Sequence, residues 1–420
     1  MLRIRRGKHL SATIASDEAL VDSRYAWMRL GIALLICTIG GIGMWSVVVA
    51  LPAVQAEFGV DRGAASLPYT LTMIGYATGG VMMGKLADRF GVAATIGWGS
   101  LCLAAGYIGS GFATSLWQFT IAHGLLIAFL GSASTFGPLM ADTSFWFARR
   151  RGLAVAICAS GNYIAGTVWP PVVQHFIETI GWRHTHIAIG LLCVATILPL
   201  SFLLRRRAPM PAFTRPIGIG ARRATVLGMA PGAVQFLLAA AGVACCVAMA
   251  MPQVHIVAYC GDLGYGPARG AAMLSLMLGF GVISRLGSGF IADRIGGFRT
   301  LLAGSALQAF ALVLYLFFDG LASLYVISAL FGLFQGGIVP SYAIIVRELF
   351  PPQEAATRVG VVLMATILGM ALGGWMAGAI FDFAHSYGPA FLNGIAWNLL
   401  NAAIAVFLLR RFQTRAIREY

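Results

Sequence analysis

The sequence predicts an all-α membrane protein of twelve transmembrane helices, arranged as two pseudo-symmetric six-helix bundles. Three observations carry this. The 420 residues are 59% hydrophobic and only 10% charged, against about 45–50% and about 25% in a soluble domain, so a soluble fold has too few charges to clothe its surface. The apolar residues fall into twelve long runs, and one octapeptide occurs twice, 205 residues apart. The composition speaks against a disordered chain, a nucleic-acid-binding module and a soluble enzyme. The runs are too many for a merely anchored protein. They are also too long for an outer-membrane barrel, whose strands alternate over about 10 residues.

A helix needs about 20 apolar residues to cross the bilayer core. The runs are 28–51, 66–86, 93–112, 116–141, 152–177, 184–204, 228–256, 268–290, 300–318, 321–346, 357–380 and 389–409. Each gap holds a glycine, proline or charge cluster that stops the helix. The first run exceeds a signal-peptide core of about 7–15 residues and is expected to remain as span 1. The organisation is a tail (1–27), a six-helix bundle (28–204), a basic linker (205–227), a second bundle (228–409) and a tail (410–420).

The net charge is +14, with 29 Lys+Arg against 15 Asp+Glu. Twenty-five of the basic residues fall on one side of the twelve-span map, in the tails, the linker and the alternate loops, among them Arg3, Arg24, Arg29, Lys85, Arg149, Arg215, Arg299 and Arg347. The opposite loops hold only Arg62, Arg183 and Arg269. Positive loops stay in the cytoplasm, so both termini and the linker are expected there, in the cell (inner) membrane if the source is bacterial. The basic excess is thus explained by the lipid bilayer, without nucleic acid. Six of the 7 cysteines lie inside apolar runs, with neither metal-ligand spacing nor a disulfide framework, and read as small core residues.

The repeat is Gly84-Lys-Leu-Ala-Asp88-Arg89-Phe-Gly91 after span 2 and Gly289-Phe-Ile-Ala-Asp293-Arg294-Ile-Gly296 after span 8. Both read G-x-x-A-D-R-[FI]-G. Similar apolar helices do not by chance reproduce Asp-Arg flanked by both glycines, so the chain is a duplicated six-helix unit. Parallel repeats of this kind suit a rocking transporter. On these octapeptides the sequence resembles the major facilitator superfamily over nearly its whole length. Trp146-Phe147-Ala-Arg-Arg-Arg151-Gly152-Leu-Ala, Gly181-Trp182-Arg183, Asp262-Leu-Gly264 before Ala271-Ala272, and Arg285-Leu-Gly-Ser-Gly289 resemble its monocarboxylate and oxalate/formate branch. The first octapeptide departs from the family pattern in carrying Val92 and Ala93 where a basic pair often follows. The loops suit a gate at the cytoplasmic face: Asp88, Arg89, Asp293 and Arg294 are its candidates, with Asp142 near the end of span 4 as a further gate partner.

Arg285 is the leading binding candidate. It lies 8 residues before Asp293, about 12 Å at 1.5 Å per residue, near the middle of a core about 30 Å thick. A charge at that depth faces a cavity and a partner, and guanidinium binds a carboxylate by two parallel hydrogen bonds. The matching position in the first half is Gly80, so a single cation is offered. The resemblance implies the same role, an arginine in span 8 that holds the substrate carboxylate. The blander readings are a structural pair with Asp142, or a side chain that snorkels to the surface.

Tyr342 in span 10 and Phe136 in span 4, 206 residues apart, lie where related transporters often carry a cavity tyrosine and complete the candidate binding set. Plain helix packing is the competing reading for both. His255 and His123 are candidates for a proton-linked role, because histidine titrates near neutral pH, and interfacial packing competes there too. His175, His184 and His186 are too sparse for a metal site. Proton-linked relatives carry an acid one turn before the span-8 arginine, where this chain has Gly281. Dicarboxylate exchangers add a lysine in span 11, where 361–380 carries no charge. A single cation favours a monoanion, since a second carboxylate would be buried unpaired.

The expected function is secondary active transport of a small organic anion, a monocarboxylate, by alternating access, proton-coupled or by exchange. The alternative is an exporter of drugs or other amphipathic compounds. No cluster for catalysis, no metal and no cofactor is expected, nor a glycine-rich loop for ATP, and the functional unit is expected to be a monomer.

Overall fold

The computed structural model describes residues 20–207 and 226–418. Arg3, Arg5, Arg6, Lys8, Arg215, Arg222 and Arg223, with most of the expected N-terminal tail and linker, lie outside the described residues. Within them the chain is almost wholly helical, as the bilayer demands, because no water is present there to satisfy a free backbone group.

Among the described residues, ten helical stretches are long and apolar enough to cross a membrane. One of them, Arg151–Leu203, has 53 residues and turns at Gly181 (φ +79°), so it supplies two helices, α5 (151–180) and α6 (182–203). A further helix, α2 (Leu67–Phe90), is long enough but diluted by threonine, glycine and charge. The count is therefore twelve. The others are α1 (Arg24–Phe58), α3 (Val92–Gly111), α4 (Leu116–Trp146), α7 (Pro231–Asp262), α8 (Pro267–Ile295), α9 (Gly297–Phe317) and α10 (Leu321–Leu349), then α11 (Pro352–Ala384) and α12 (Gly388–Arg418). Most run a few residues past the apolar spans read from sequence, since polar residues prolong a helix once it leaves the bilayer core.

The two octapeptides build the same turn. Gly91 (φ +90°) and Gly296 (φ +83°) end α2 and α8 with left-handed backbone, and each donates its N–H four residues back, to Ala87 and Ala292. A side chain at that φ would clash, which explains why glycine closes both copies.

α4 is irregular. It is π-helical over Ala122–Gly131 and 3-10 over Ser132–Thr135, and Phe136 (φ −122°, ψ −75°) breaks it before Gly137–Trp146 resumes. Backbone crowding accompanies the break. Gly75 and Gly79 of α2 abut the carbonyls of Gly124 and Phe129, and Gly43 of α1 abuts Ser132. α10 instead runs as two α-helical pieces, Leu321–Gln335 and Ile338–Leu349, joined at Gly336 and Gly337.

One buried cluster lies within α1–α6, around Ile36, Ile96, Tyr107 and Cys193. Another lies in the second half of the chain, around Leu238, Leu301, Tyr342 and Val362. The largest joins the two halves, with Trp45, Tyr69, Met73 and Tyr163 against Met249, Val254, Met277 and Leu278.

Candidate functional site

The two ends of the molecule differ. At the end carrying Arg62, the halves are sealed. The short turn Arg62–Ala65 between α1 and α2 sits under α7, α11 and the start of α12. The Arg62 guanidinium donates to Asp262 (2.5 and 3.1 Å), to the Tyr387 hydroxyl (2.8 Å) and to Gln55 (3.0 Å), and lies 4.4 Å from the Phe381 ring centroid. The Asp382 carboxylate accepts from the backbone N–H of Arg62 (2.8 Å) and Gly63 (2.6 Å), as an acid does at a helix N-terminus. Deeper, the Thr70 hydroxyl donates to Ala371 O (3.2 Å), and Gly374 of α11 admits the Tyr69 ring.

At mid-depth α5 meets α8. Ser275 donates to the Thr167 carbonyl, Gly166 packs against Leu278, and Gly281 against Tyr163. The Arg285 guanidinium stands 4.2 Å from the Tyr163 ring centroid, within cation–π range. Beyond this level the halves part. A methyl group added at Gly152, Gly287, Gly289 or Gly360 would meet nothing within 4 Å. Phe290 (74% exposed) and Ile291 are bare. Asp88, Arg89, Asp293 and Arg294 are all exposed, and none makes an ion pair among the described residues.

Arg285 therefore sits where the contact between halves ends. Its Nε is buried without a hydrogen-bond partner, and no carboxylate pairs with it among the described residues. Tyr76 of α2 stacks at a tilt on Phe136, 5.9 Å between centroids. A guanidinium from the second half thus meets the Tyr163 ring of the first, and Tyr76 with Phe136 packs in the same cluster that joins the halves. Tyr163 and Tyr76 were not read from sequence. Their signal is weak, since aromatic residues are common in these helices.

Other candidates are placed apart from this group. Tyr342 does not face the parted halves. It is fully buried, and its hydroxyl donates to Asn401 (2.7 Å), so it packs α10 onto α12. Depth was legible from the 206-residue offset, but facing was not. Asp142 pairs with Arg29 (2.7 Å), which is 2% exposed, stacks on Trp146 and also donates to the Arg206 carbonyl (3.1 Å). That tie joins α1, α4 and α6 inside the first half and engages neither Arg285 nor the second half. Arg29, counted as a loop residue before span 1, thus lies buried within α1 and has its own counter-ion. His123 contacts His186 (3.3 Å) inside an aromatic cluster with Phe119, Tyr107 and Trp182, away from the second half. His255 contacts the Tyr387 hydroxyl (3.1 Å) and the Gly374 carbonyl (2.8 Å), directly behind the Arg62 seal. Among the described residues no group of histidine, cysteine and acid has the makings of a metal site.

The description "Major Facilitator Superfamily" matches residues 33–323 and again 289–419. Monocarboxylate transporter 13 of Bos taurus is 27% identical over 334 residues, 77% of this chain and 75% of the relative. The MFS-type transporter pynF of Aspergillus niger is 23% identical over 338 residues, 79% and 75% of the two chains. Among solved structures, a bacterial homolog to the human lysosomal transporter Spinster, inward-facing and occupied, aligns with TM-score 0.73 at 15% identity, over 93% of this chain and 98% of that one. A point mutant of the nucleoside transporter NupG aligns at 0.71 and 14%, over 91% and 100%.

Proposed function

The chain belongs to the Major Facilitator Superfamily of multi-pass membrane transporters, and from that premise we propose that it carries a small organic anion, a monocarboxylate, by alternating access. The observation that carries the reading is the unpaired Arg285 at the level where the halves part. A carboxylate reaching it from the open end would receive the guanidinium's paired hydrogen bonds, while Tyr163, Tyr76 and Phe136 would receive an apolar or aromatic body. One cation matches one carboxylate. The printed name of the bovine relative, a monocarboxylate transporter, supports the same substrate class.

We take the octapeptide end as cytoplasmic, because the basic residues crowd there. The Arg62 cluster is then the outer gate, closed here, and the exposed Asp-Arg loops are the inner gate, open here. His255 lies behind the outer gate, hydrogen-bonded to Tyr387, which Arg62 also holds. We assign His255 the proton-linked role in opening that gate, and His123 none.

Uptake of labelled monocarboxylates into proteoliposomes, with and without a pH gradient, tests this. Arg285→Ala is expected to abolish saturable uptake, because truncating one partner of a buried charge pair costs about 2–5 kcal/mol. Arg285→Lys should retain part of it, keeping charge but losing the planar fork. If inserted Arg285→Ala protein carries carboxylates at the wild-type rate, the anion reading fails. The aromatic lining then favours the second reading, an exporter of amphipathic compounds.

A further inference from the structure

The first half holds a cavity of about 1220 Å³ that the proposed transport site does not use. It opens at the octapeptide end between α2, α3, α4 and α6, and its described lining comes from the first half and the three arginines that follow it. The matching place in the second half, between α8, α9, α10 and α12, holds about 140 Å³. Duplication would make the two alike, so the difference has a residue-level cause.

In the second half, hydrogen bonds stitch the site shut. Tyr342 donates to Asn401 (2.7 Å), Asn401 to the Ser305 hydroxyl (2.7 Å), and Asn398 to the Ser305 carbonyl (2.7 Å). Glu348 accepts from Gly297 N (3.1 Å), and Phe298 packs on Phe412. The 205–206-residue offset puts Phe136, Thr196 and Ser100 where Tyr342, Asn401 and Ser305 stand. Phe136 has no hydroxyl, and Thr196 and Ser100 bond to their own helices, at Leu192 O and Gly97 O (both 2.7 Å). Asp142, in place of Glu348, is held by Arg29. None of these side chains ties the Gly137–Trp146 part of α4 directly to α3 or α6, as Tyr342, Asn401 and Ser305 tie their counterparts, and the groove stays open.

Its walls are apolar, with Trp98 (56% exposed), Leu101, Phe145 and Phe202, and its mouth is a run of three arginines, Arg205 to Arg207. Arg205 lies 4.3 Å from the Phe202 ring centroid, and the Arg206 backbone carbonyl is already used by Arg29. Of the two acids in the lining, Asp142 is neutralised by Arg29, which leaves Asp88 at the rim. Trp98 is 7 residues beyond Gly91, about 10 Å into the helix. The groove thus offers cations at the membrane surface and an apolar track running inward. Its volume exceeds the about 300–1,000 Å³ of a small-molecule pocket. Basic pockets between helices at a membrane surface suit phospholipid headgroups.

We propose that this groove holds one anionic phospholipid of the surrounding bilayer, its phosphate at Arg205 and Arg207 and an acyl chain along Trp98, Leu101, Phe145 and Phe202. The other available occupant is residues 208–225 of the chain itself. That segment carries Arg215, Arg222 and Arg223 and no acid, so its charge opposes the arginine mouth.

The test uses the full chain in lipid nanodiscs, with phosphatidylglycerol or phosphatidylcholine brominated on the acyl chains. The readout is the tryptophan quenching that Trp98→Phe removes. Brominated phosphatidylglycerol is expected to quench Trp98 at lower mole fraction than brominated phosphatidylcholine. Arg205→Gln with Arg207→Gln should erase the difference, a loss of about thirty-fold in apparent affinity at roughly fivefold per basic side chain. Gly80→Leu, which points into open space in the groove, should weaken quenching by both lipids without removing the arginines. Equal quenching by both lipids in the unmodified protein overturns the proposal in favour of unspecific boundary lipid. No Trp98 quenching by either overturns it in favour of occupation by the chain itself. Neither readout depends on transport, so the proposal stands or falls apart from the substrate assignment.

Discussion

The Arg62 end and the octapeptide end hold the halves by opposite means. At the first, one guanidinium, 9% exposed, bonds Asp262 of α7, Tyr387 at the foot of α12 and Gln55 of its own half. Asp382 of α11 meanwhile caps the backbone on which it sits. At the second, two Asp-Arg pairs on identical glycine-closed turns lie exposed and unpaired with each other. The alternating access proposed for this chain needs such a contrast. If both ends were as strongly tied as the first, neither conformation could be left. If both were as loose as the second, nothing would keep a substrate from leaking through.

The largest effect on this contrast is expected from Arg62→Ala. It strands Asp262 beside a phenol with no cation, while the backbone N–H bonds to Asp382 remain. Asp262 is partly exposed (36%), so the loss lies between the exposed and buried limits for ion pairs. That is about 1–3 kcal/mol, roughly 5–150-fold in the balance of conformations. Spin-label distances across the Arg62 end, for example between positions 59 and 385, should lengthen in a substantial fraction of molecules. An unchanged distribution would remove the gate from the Arg62 cluster.

His255→Gln sharpens the same comparison. Glutamine keeps a donor for the Gly374 carbonyl and an acceptor for Tyr387, so the seal should weaken by about one hydrogen bond, 0.5–1.5 kcal/mol. What it removes is a group that titrates. Uptake should survive while its dependence on pH flattens. A pH profile identical to the unmodified protein would clear His255 of the proton-linked role.

Tyr342→Phe tests the octapeptide end from within the second half. It leaves Asn401 Oδ1 without its donor at a fully buried site, and the expected loss is about 1 kcal/mol of stability with substrate affinity unchanged. The reciprocal pair, Phe136→Tyr with Thr196→Asn, should draw α4 toward α6 in the first half and raise the melting temperature. A weakened substrate affinity in Tyr342→Phe would return this residue to the binding site.

What the sequence made legible follows what leaves a local or repeated mark. Twelve spans show as runs of apolar residues. The two turns show as repeated octapeptides, and their closing glycines prove to be the positive-φ positions. The depth of Arg285 follows from counting residues back from Asp293. What stayed hidden depends on facing or on partners far along the chain. Arg62 meets Asp262 across 200 residues and Asp382 across 320, and no repeat flags them. The only clue was that charges are rare on that side. Tyr342 and Phe136 share a depth, yet Tyr342 turns to Asn401 while Phe136 turns to Tyr76. The unwinding of α4 is marked in the sequence only by Gly137-Pro138 just after the break, and its extent appears only as glycines crowded against backbone.

The smallest and most discriminating effect is expected from Asp88→Asn combined with Asp293→Asn. Both residues are exposed and without ion-pair partners at the open end, so in this conformation the substitutions remove nothing. Their value appears only when the octapeptide end closes and the loops meet the opposite half, where a carboxylate near a helix N-terminus contributes about 0.3–1 kcal/mol. The conformation closed at the octapeptide end should therefore be destabilised a few-fold for the pair, and the rate of exchange should fall accordingly. Substrate affinity at equilibrium should hold, because the loops lie about 12 Å from Arg285 along α8. Counterflow rate and equilibrium binding, measured on the same preparation, separate the two quantities. Slower exchange with intact binding places the latch in the state opposite to the one described here. Intact exchange with weakened binding would show that the loops act on the site directly, and the contrast between the two ends would then have another origin.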